Sequence, residues 1–202
     1  MLKIGLTGGP GTGKSTVLSI FKKLGSKTVS SDEIVRSIQK PRSPLVRKIS
    51  RKFGQEYVRR NGSLNRPKLR RLIFNFPKKR KALERLVHPL VLAEREKISK
   101  RFSSAGVKAV IFEVPLLFEA GLKKHFDIII VVSSKREIQL KRLKTRDGMK
   151  MHDALKMIGS QLPLSFKESR ADYVIRNNRD LARLKKGIGL FVRKLDILKC
   201  KR

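Results

Sequence analysis

Gly8-Gly9-Pro10-Gly11-Thr12-Gly13-Lys14-Ser15 stands directly behind an apolar run, residues 2–6, and satisfies G-x-x-x-x-G-K-[ST] at every fixed position. The spacing has a chemical reason. Glycines let successive backbone N–H groups curl around a phosphate, and the helix that starts at the loop's end adds its positive terminus. Lys14 then reaches the β- and γ-phosphates, and the Ser15 hydroxyl reaches Mg²⁺. Thr16 is the neighbour expected at the α-phosphate. The flanks agree, because a β-type run precedes and Val17, Ile20, Phe21 and Leu24 follow at helical spacing. Residues 11–16 are therefore read as a nucleotide-binding loop.

From the loop the chain alternates strands with helices. Residues 2–6 predict the first strand, 14–24 a helix with Gly25 as its C-terminal stop, and 27–29 a short second strand. Ser30-Ser31-Asp32-Glu33 ends that strand, and a helix carrying Ile34, Val35 and Ile38 runs to Pro41. Ser43-Pro44 reads as an N-cap followed by proline at the first helical position. From there to about residue 102 the pattern is helical, with breaks expected at Gly54, Asn61-Gly62, Pro67, Pro77 and Pro89. Residues 107–112 and 127–132 are buried strands, 135–146 and 151–161 helices, 165–171 a further helical piece, and 173–175 a last strand. Leu181, Leu184, Ile188, Phe191, Leu195 and Leu198 stripe a closing helix.

This alternation predicts an α/β fold: a three-layer core with a parallel sheet between helices, a helical insert for a second substrate, and a helical lid. The expected division of the single domain is a core at about 1–40, 105–140 and 171–202, an insert at about 41–104, and a lid at about 141–170. Ligands bind such sheets at the carboxyl ends of the strands. The loop, Ser30, Asp32 and Glu113 all lie at expected strand ends, so they should share one cleft.

Composition narrows the classes. The 202 residues contain no apolar run of membrane-spanning length and no signal peptide, and the one cysteine, Cys200, fits a cytoplasmic protein without an internal disulfide. His88, His125 and His152 lack metal-ligand spacing, so no zinc site is expected. The net charge is +34, and residues 36–101 hold 22 Lys and Arg against 4 Asp and Glu. Such charge suits nucleic acid, an anionic membrane or phosphate-rich small molecules. With 10 Phe, 2 Tyr and no Trp, stacking platforms for single strands are poor. No nucleic-acid or membrane partner is expected; the charge is read as solvated helix faces, some serving phosphate-rich ligands.

A phosphate loop serves GTPases, motor ATPases and small-molecule kinases alike. The chain length, the helical insert and the arginines after residue 135 favour a kinase with a closing lid. Arg142 and Arg146, spaced i, i+4, share a helix face and are expected to neutralise the moving phosphoryl group, with a plain solvated face as the alternative. Asp32 is placed either to take the proton of an attacking hydroxyl or to cap the following helix. Glu113, at the end of a buried strand, is expected to serve Mg²⁺ and its waters or to be a turn residue. Another small-molecule or nucleotide kinase, a nucleic-acid-binding ATPase and a nucleotide sensor remain as rival readings.

Four stretches carry a closer likeness: Ile4-Gly5-Leu6-Thr7 running into the loop and on to Thr16; Ser31-Asp32-Glu33-Ile34; Val87-His88-Pro89-Leu90; and Val114-Pro115-Leu116-Leu117-Phe118-Glu119. With Gln161, Ala171-Asp172-Tyr173-Val174-Ile175 and Asn177 further on, the chain resembles the dephospho-CoA kinases from residue 2 to about 191. The resemblance implies transfer of a phosphoryl group from ATP·Mg²⁺ to the 3′-hydroxyl of the dephospho-CoA ribose, the last step of coenzyme A synthesis; separately, a monomer or weak homo-oligomer is expected. It implies that Asp32 is catalytic beside Lys14, Arg142 and Arg146, and that the two arginines belong to the lid. It sets Asp32, His88, Leu116, Leu117, Phe118 and Glu119 on the acceptor side, Ser15 and Glu113 on the metal, and Asn177 near the adenine. Two positions depart from the family pattern. Ser30 stands where an aspartate is usual, and Glu113 replaces a common aspartate with an arm one methylene longer.

Overall fold

The computed structural model describes residues 1–178 and 180–200, with side chains through Arg193. Five strands form one sheet: β1 (Leu2–Gly8), β2 (Lys27–Val29), β3 (Ala109–Glu113), β4 (Ile128–Ser133) and β5 (Tyr173–Arg176). Their order is β2-β3-β1-β4-β5 and every pairing is parallel. β1 sits centrally, with Leu6 opposite Glu113 on β3 and Gly8 opposite Val132 on β4. The chain leaves β1 for one side of the sheet and later adds β4 on the other. The carboxyl end of β1 is therefore the topological switch point, where such sheets bind ligands.

Both faces of the central strands are covered, which explains their unbroken apolar sequence: Ile4, Leu6, Val110, Ile111, Phe112 and Ile129 to Val132 are all buried. On one face, α1 (Lys14–Lys23) and α9 (Leu181–Cys200) pack Val17, Phe21, Leu184, Ile188 and Phe191 against Ile4, Leu6, Ile130 and Val132. Each such side chain contributes about 1.5–3 kcal/mol by leaving water. Phe21 and Phe191 meet edge to face with centroids 6.0 Å apart. Leu181 of the expected stripe is half exposed, and Leu195, Leu198 and Cys200 fall outside the described side chains. After α1, Gly25 at φ +84° lets the Ser26 N–H reach the Phe21 carbonyl at 3.0 Å, stopping the helix as expected.

Gly5 matters for a different reason. A Cβ there would come 2.7 Å from Leu117 Cδ1 and 3.0 Å from the Phe126 ring, so a bare α-carbon lets that layer close onto β1. The remaining helices of this part are α6 (Arg136–Asp147), α7 (Met151–Gly159) and α8 (Leu164–Glu168). Gly148 at φ +63° terminates α6. No described helix is long and apolar enough to cross a membrane.

The chain divides into two compact units, one of residues 1–31 with 102–202, the other of residues 32–101. The second unit therefore begins within α2 (Ser31–Ile38), a helix the sequence reading assigned to the core. It also contains α3 (Pro44–Phe53), α4 (Arg66–Asn75) and most of α5 (Pro77–Ser104). Ser43 caps α3, its Oγ accepting from the Val46 N–H at 3.4 Å, with Pro44 in the first turn. Gly54 ends that helix, and the Asn61-Gly62 turn is closed by an antiparallel bridge between Val58 and Leu64. Pro67 and Pro77 begin helices rather than merely breaking them.

The expected break at Pro89 is not there: α5 runs through it for 28 residues. Proline removes one backbone hydrogen bond and crowds the carbonyl four residues back, which opposes continuation. Here that cost is offset by packing on both sides of the proline. Leu83, Leu86 and Val87 before it, and Leu90 and Val91 after it, lie against a core of Ile38, Leu45, Val46, Ile49, Tyr57, Leu64 and Leu69.

Candidate active site

The phosphate loop spans the gap between β1 and α1. Gly8, Gly11 and Gly13 take φ values of +149°, +69° and +89°, which residues with a Cβ avoid. Space is also lacking. A Cβ at Gly11 would lie 2.7 Å from the Gln139 carbonyl oxygen, one at Gly8 would overlap the Val132 carbonyl, and one at Gly13 would overlap the Asn177 amide. The loop is thus moulded onto the end of β4, the first turn of α6 and the end of β5. Thr12 is buried and its Oγ1 donates to the Gly9 carbonyl at 2.9 Å.

Lys14 folds back over the loop, its Nζ donating to the carbonyls of Gly8 at 3.1 Å and Gly9 at 2.9 Å. Burial is the main cause of a lowered ammonium pKa, about 8 against an ordinary 10.5. Lys167 and Arg146 push in the same direction, while Glu113 and Glu119 pull it back up. These five charges therefore share one field at the carboxyl end of the sheet.

Asn177 comes into the site because β5 pairs with β4 through Ser133–Arg176, which delivers the next residue beside the loop. Its Nδ2 donates to the Thr12 carbonyl at 2.9 Å and its backbone N–H to the Ser133 carbonyl at 2.8 Å. Arg142 braces the same corner. Its Nη2 donates to the backbone and side-chain oxygens of Asn177 at 3.1 and 3.3 Å, and its Nη1 to the carbonyls of Gly11 and Thr12 at 3.4 and 3.3 Å. Burial, with a smaller push from Arg146, lowers the pKa of this guanidinium. Arg142 and Arg146 do not act as an equivalent pair: the second is exposed and chelated by Asp147 at 2.8 and 3.0 Å. Arg142 is thus tied to the loop carbonyls, whereas Arg146, one turn later, borders the same cleft. A cleft of about 290 Å³ opens between Gly11, Gly13, Thr16, Arg142, Arg146 and Asn177, with Leu181 and Leu184 as its apolar side.

At the end of β3, Glu113 is half-buried and its backbone carbonyl accepts from Ser31 Oγ at 2.6 Å. That bond pins the start of α2, in whose first turn Asp32 is exposed. The next four expected acceptor residues divide by environment. Leu116 is 46% exposed, but Leu117 is fully buried against Gly5. Phe118 packs edge to face on Phe166, 6.4 Å between centroids. Glu119 pairs with Lys167 at 2.7 Å. Ser15 and Thr16 are exposed at the start of α1.

In the helical unit His88 is exposed on α5. The same unit carries a cleft of about 520 Å³ that sequence reasoning did not single out, lined by Arg66, Arg70, Arg71 and Phe74 of α4. Phe74 is 86% exposed. The signal in the sequence was a run from Tyr57 to Leu83 with ten Lys or Arg and no acid. Gln139, whose Nε2 donates to the Ser134 carbonyl at 2.7 Å beneath the loop, and Lys167 were also missed. A lone polar residue in a helical pattern gives no sign of burial.

Comparison with known proteins is consistent with this geometry. Residues 2–183 match the family described as dephospho-CoA kinase. A Syntrophotalea carbinolica protein of that name is 43% identical over 181 residues, 90% of this chain and 86% of that one. Among solved structures, a Thermus thermophilus protein superposes with a TM-score of 0.79 at 30% identity, covering 96% of this chain and 97% of its own. A dephospho-CoA kinase from Campylobacter jejuni gives 0.73 at 26% identity, with 96% of both chains covered.

Proposed function

The chain belongs to the dephospho-CoA kinase family, ATP-dependent enzymes of coenzyme A synthesis, and we propose that the loop, Asp32 and the β3 carboxyl end divide the transfer to dephospho-CoA among them. The observation that carries this reading is the corner where Arg142 and Asn177 lock the loop's carbonyls. With its carbonyls held behind it, the loop offers its N–H groups to the β- and γ-phosphates of ATP. Lys14 exchanges the Gly8 and Gly9 carbonyls for phosphate oxygens when nucleotide arrives. The base lies against Leu181 and Leu184 beside Asn177.

The donor set beside the loop suits Mg²⁺: the Ser15 hydroxyl, the Glu113 carboxylate and the nucleotide's own phosphates are all hard oxygens. When bound, the ion neutralises charge on the phosphates during in-line displacement. Ser15 would hold it directly and Glu113 through water.

On the acceptor side, Asp32 receives the proton of the ribose 3′-hydroxyl as that oxygen attacks the γ-phosphorus. Arg146 meets the charge that builds on the transferring group. Leu116, Phe118, Glu119 and His88 contact the acceptor, and Leu117 supports them from the core. The guanidinium groups of Arg66, Arg70 and Arg71 suit a phosphate-rich ligand. Residues 41–104 then act as the acceptor domain and 141–170 as the lid. The protein is read as a cytoplasmic monomer or weak homo-oligomer.

The test is ADP release from ATP·Mg²⁺ with dephospho-CoA, and with AMP, adenosine or DNA in its place. Release with dephospho-CoA alone, with coenzyme A as product, is expected. Lys14→Ala should lose turnover by roughly 100-fold or more without unfolding. Asp32→Asn should lower kcat by a similar factor at unchanged ATP affinity. A near-normal rate in the Asp32 variant would remove the base assignment.

A further inference from the structure

Lys167 has a fully buried side chain, and no step of the transfer described above uses it. Its Nζ lies 2.7 Å from Glu119 Oε1 and donates to Gln161 Oε1 at 3.0 Å. The same Glu119 oxygen accepts from the Leu162 N–H at 3.1 Å. One ammonium and one carboxylate thus join three pieces of chain: the 114–119 segment after β3, the 161–162 joint after α7, and α8. An apolar contact runs parallel to them, because Phe118 packs on Phe166, and Arg170 stacks over the Phe166 ring with its guanidinium carbon 3.8 Å from the centroid.

A buried charge is an expensive way to join two segments. Apolar side chains of similar size usually hold such a place with equal or greater stability. What an ion pair adds is direction, since it holds one carboxylate oxygen at one point. We propose that Lys167 is a positioning residue for phosphoryl transfer, clamping Glu119 and with it the 114–119 segment to the foot of the α7–α8 lid. This rests on the functional reading above, in which Leu116, Phe118 and Glu119 face the acceptor.

The clamp gives the lid a fixed end. The 161–162 joint and α8 are bound to the segment next to Glu113, while α7 and the turn before it are the parts left to close. Placement of the acceptor and of the lid's foot are then one event. Lys167 and Glu119 are also close enough to Lys14 to influence its charge, in opposite senses, so the pair lies within electrostatic range of the phosphates. Loss of the ammonium should misplace the acceptor relative to a correctly bound ATP.

The experiment compares Lys167→Met, Lys167→Arg, Glu119→Gln and the double variant Lys167→Met/Glu119→Gln. It measures kcat, KM for each substrate, the Kd of a fluorescent ATP analogue, and the thermal midpoint. Lys167→Met should lower kcat by about 30-fold, in the range expected for an ångström-scale misplacement, while the analogue's Kd stays within about 2-fold. Lys167→Arg should recover most of the loss. Glu119→Gln should lower kcat by about 10-fold, and the double variant should be no slower than Lys167→Met alone.

A lower thermal midpoint with kcat per folded molecule unchanged would overturn the proposal and leave Lys167 a purely structural residue. Equally damaging would be a double variant whose losses multiply, because the two residues would then act separately. Should Lys167→Met fail to fold, Glu119→Gln decides, and full activity in that variant refutes the clamp. A wild-type protein inert toward dephospho-CoA would instead sink the functional reading.

Discussion

Nucleotide binding by the free protein should take up a proton above pH 8, and Lys14 is the group that takes it. Burial against the loop holds its pKa at about 8 rather than 10.5. That difference is about 3 kcal/mol against the charged form, and the partners of its Nζ among the described residues are the carbonyl oxygens of Gly8 and Gly9. Phosphate oxygens supply the missing negative charge, so the bound form holds its proton well above pH 8. At pH 7 roughly nine in ten free molecules already carry the proton, and at pH 9 about one in ten do. The affinity for a non-hydrolysable ATP analogue with Mg²⁺ should therefore weaken by about tenfold between pH 7 and 9, close to 1.4 kcal/mol. Titration calorimetry in two buffers of different ionisation enthalpy reads the proton directly. The expected uptake is about 0.1 per ligand at pH 7 and about 0.9 at pH 9. Lys14→Arg should bind with no such dependence, because guanidinium stays charged throughout. The folding linkage has the opposite trend. Between pH 8 and 10.5 the unfolded chain keeps a proton on Lys14 that the folded, ligand-free chain has released. Lys14's own contribution to stability therefore improves as pH rises through that window. An affinity that stays flat from pH 7 to 9.5, with no proton exchanged, would falsify the argument.

Two further outcomes follow from packing. Gly13→Ala combines a φ of +89° with a Cβ that overlaps the Asn177 amide, so it should cost about 1–3 kcal/mol in chemical denaturation and weaken nucleotide binding together. An unaltered midpoint would mean that the Asn177 corner relaxes freely. Leu117→Ala empties a fully buried place over Gly5 and should cost about 2–5 kcal/mol in chemical denaturation. A raised KM for dephospho-CoA at unchanged stability would instead return Leu117 to the acceptor surface.

The strands and most helices were legible because burial on both faces writes itself as short apolar runs, and caps such as Ser43-Pro44 act locally. Pro89 misled because a local rule met a non-local force, the packing of Leu83 to Val91 on the helical core. The burial of Leu117, expected on the acceptor side, was hidden for a related reason. In Pro-Leu-Leu-Phe, consecutive apolar residues leave no period from which inward and outward positions can be told. Arg142 and Arg146 looked equivalent because i, i+4 spacing fixes only the helix face. Which of them meets a carbonyl depends on residues 11, 12 and 177, and no local pattern encodes that contact. Lys167 was the hardest to foresee, since lysine is almost never fully buried and its partner lies 48 positions earlier at Glu119.

The bond from Asn177 to the Thr12 carbonyl joins residues 165 positions apart. During synthesis the loop therefore leaves the ribosome long before its rear brace, which follows 165 residues later. A nascent chain ending at Arg176 would contain the entire phosphate-binding motif, all five strands and Arg142, and still lack the amide that holds the Thr12 carbonyl. A fragment of that length is therefore expected to bind an ATP analogue more weakly than one that includes Asn177.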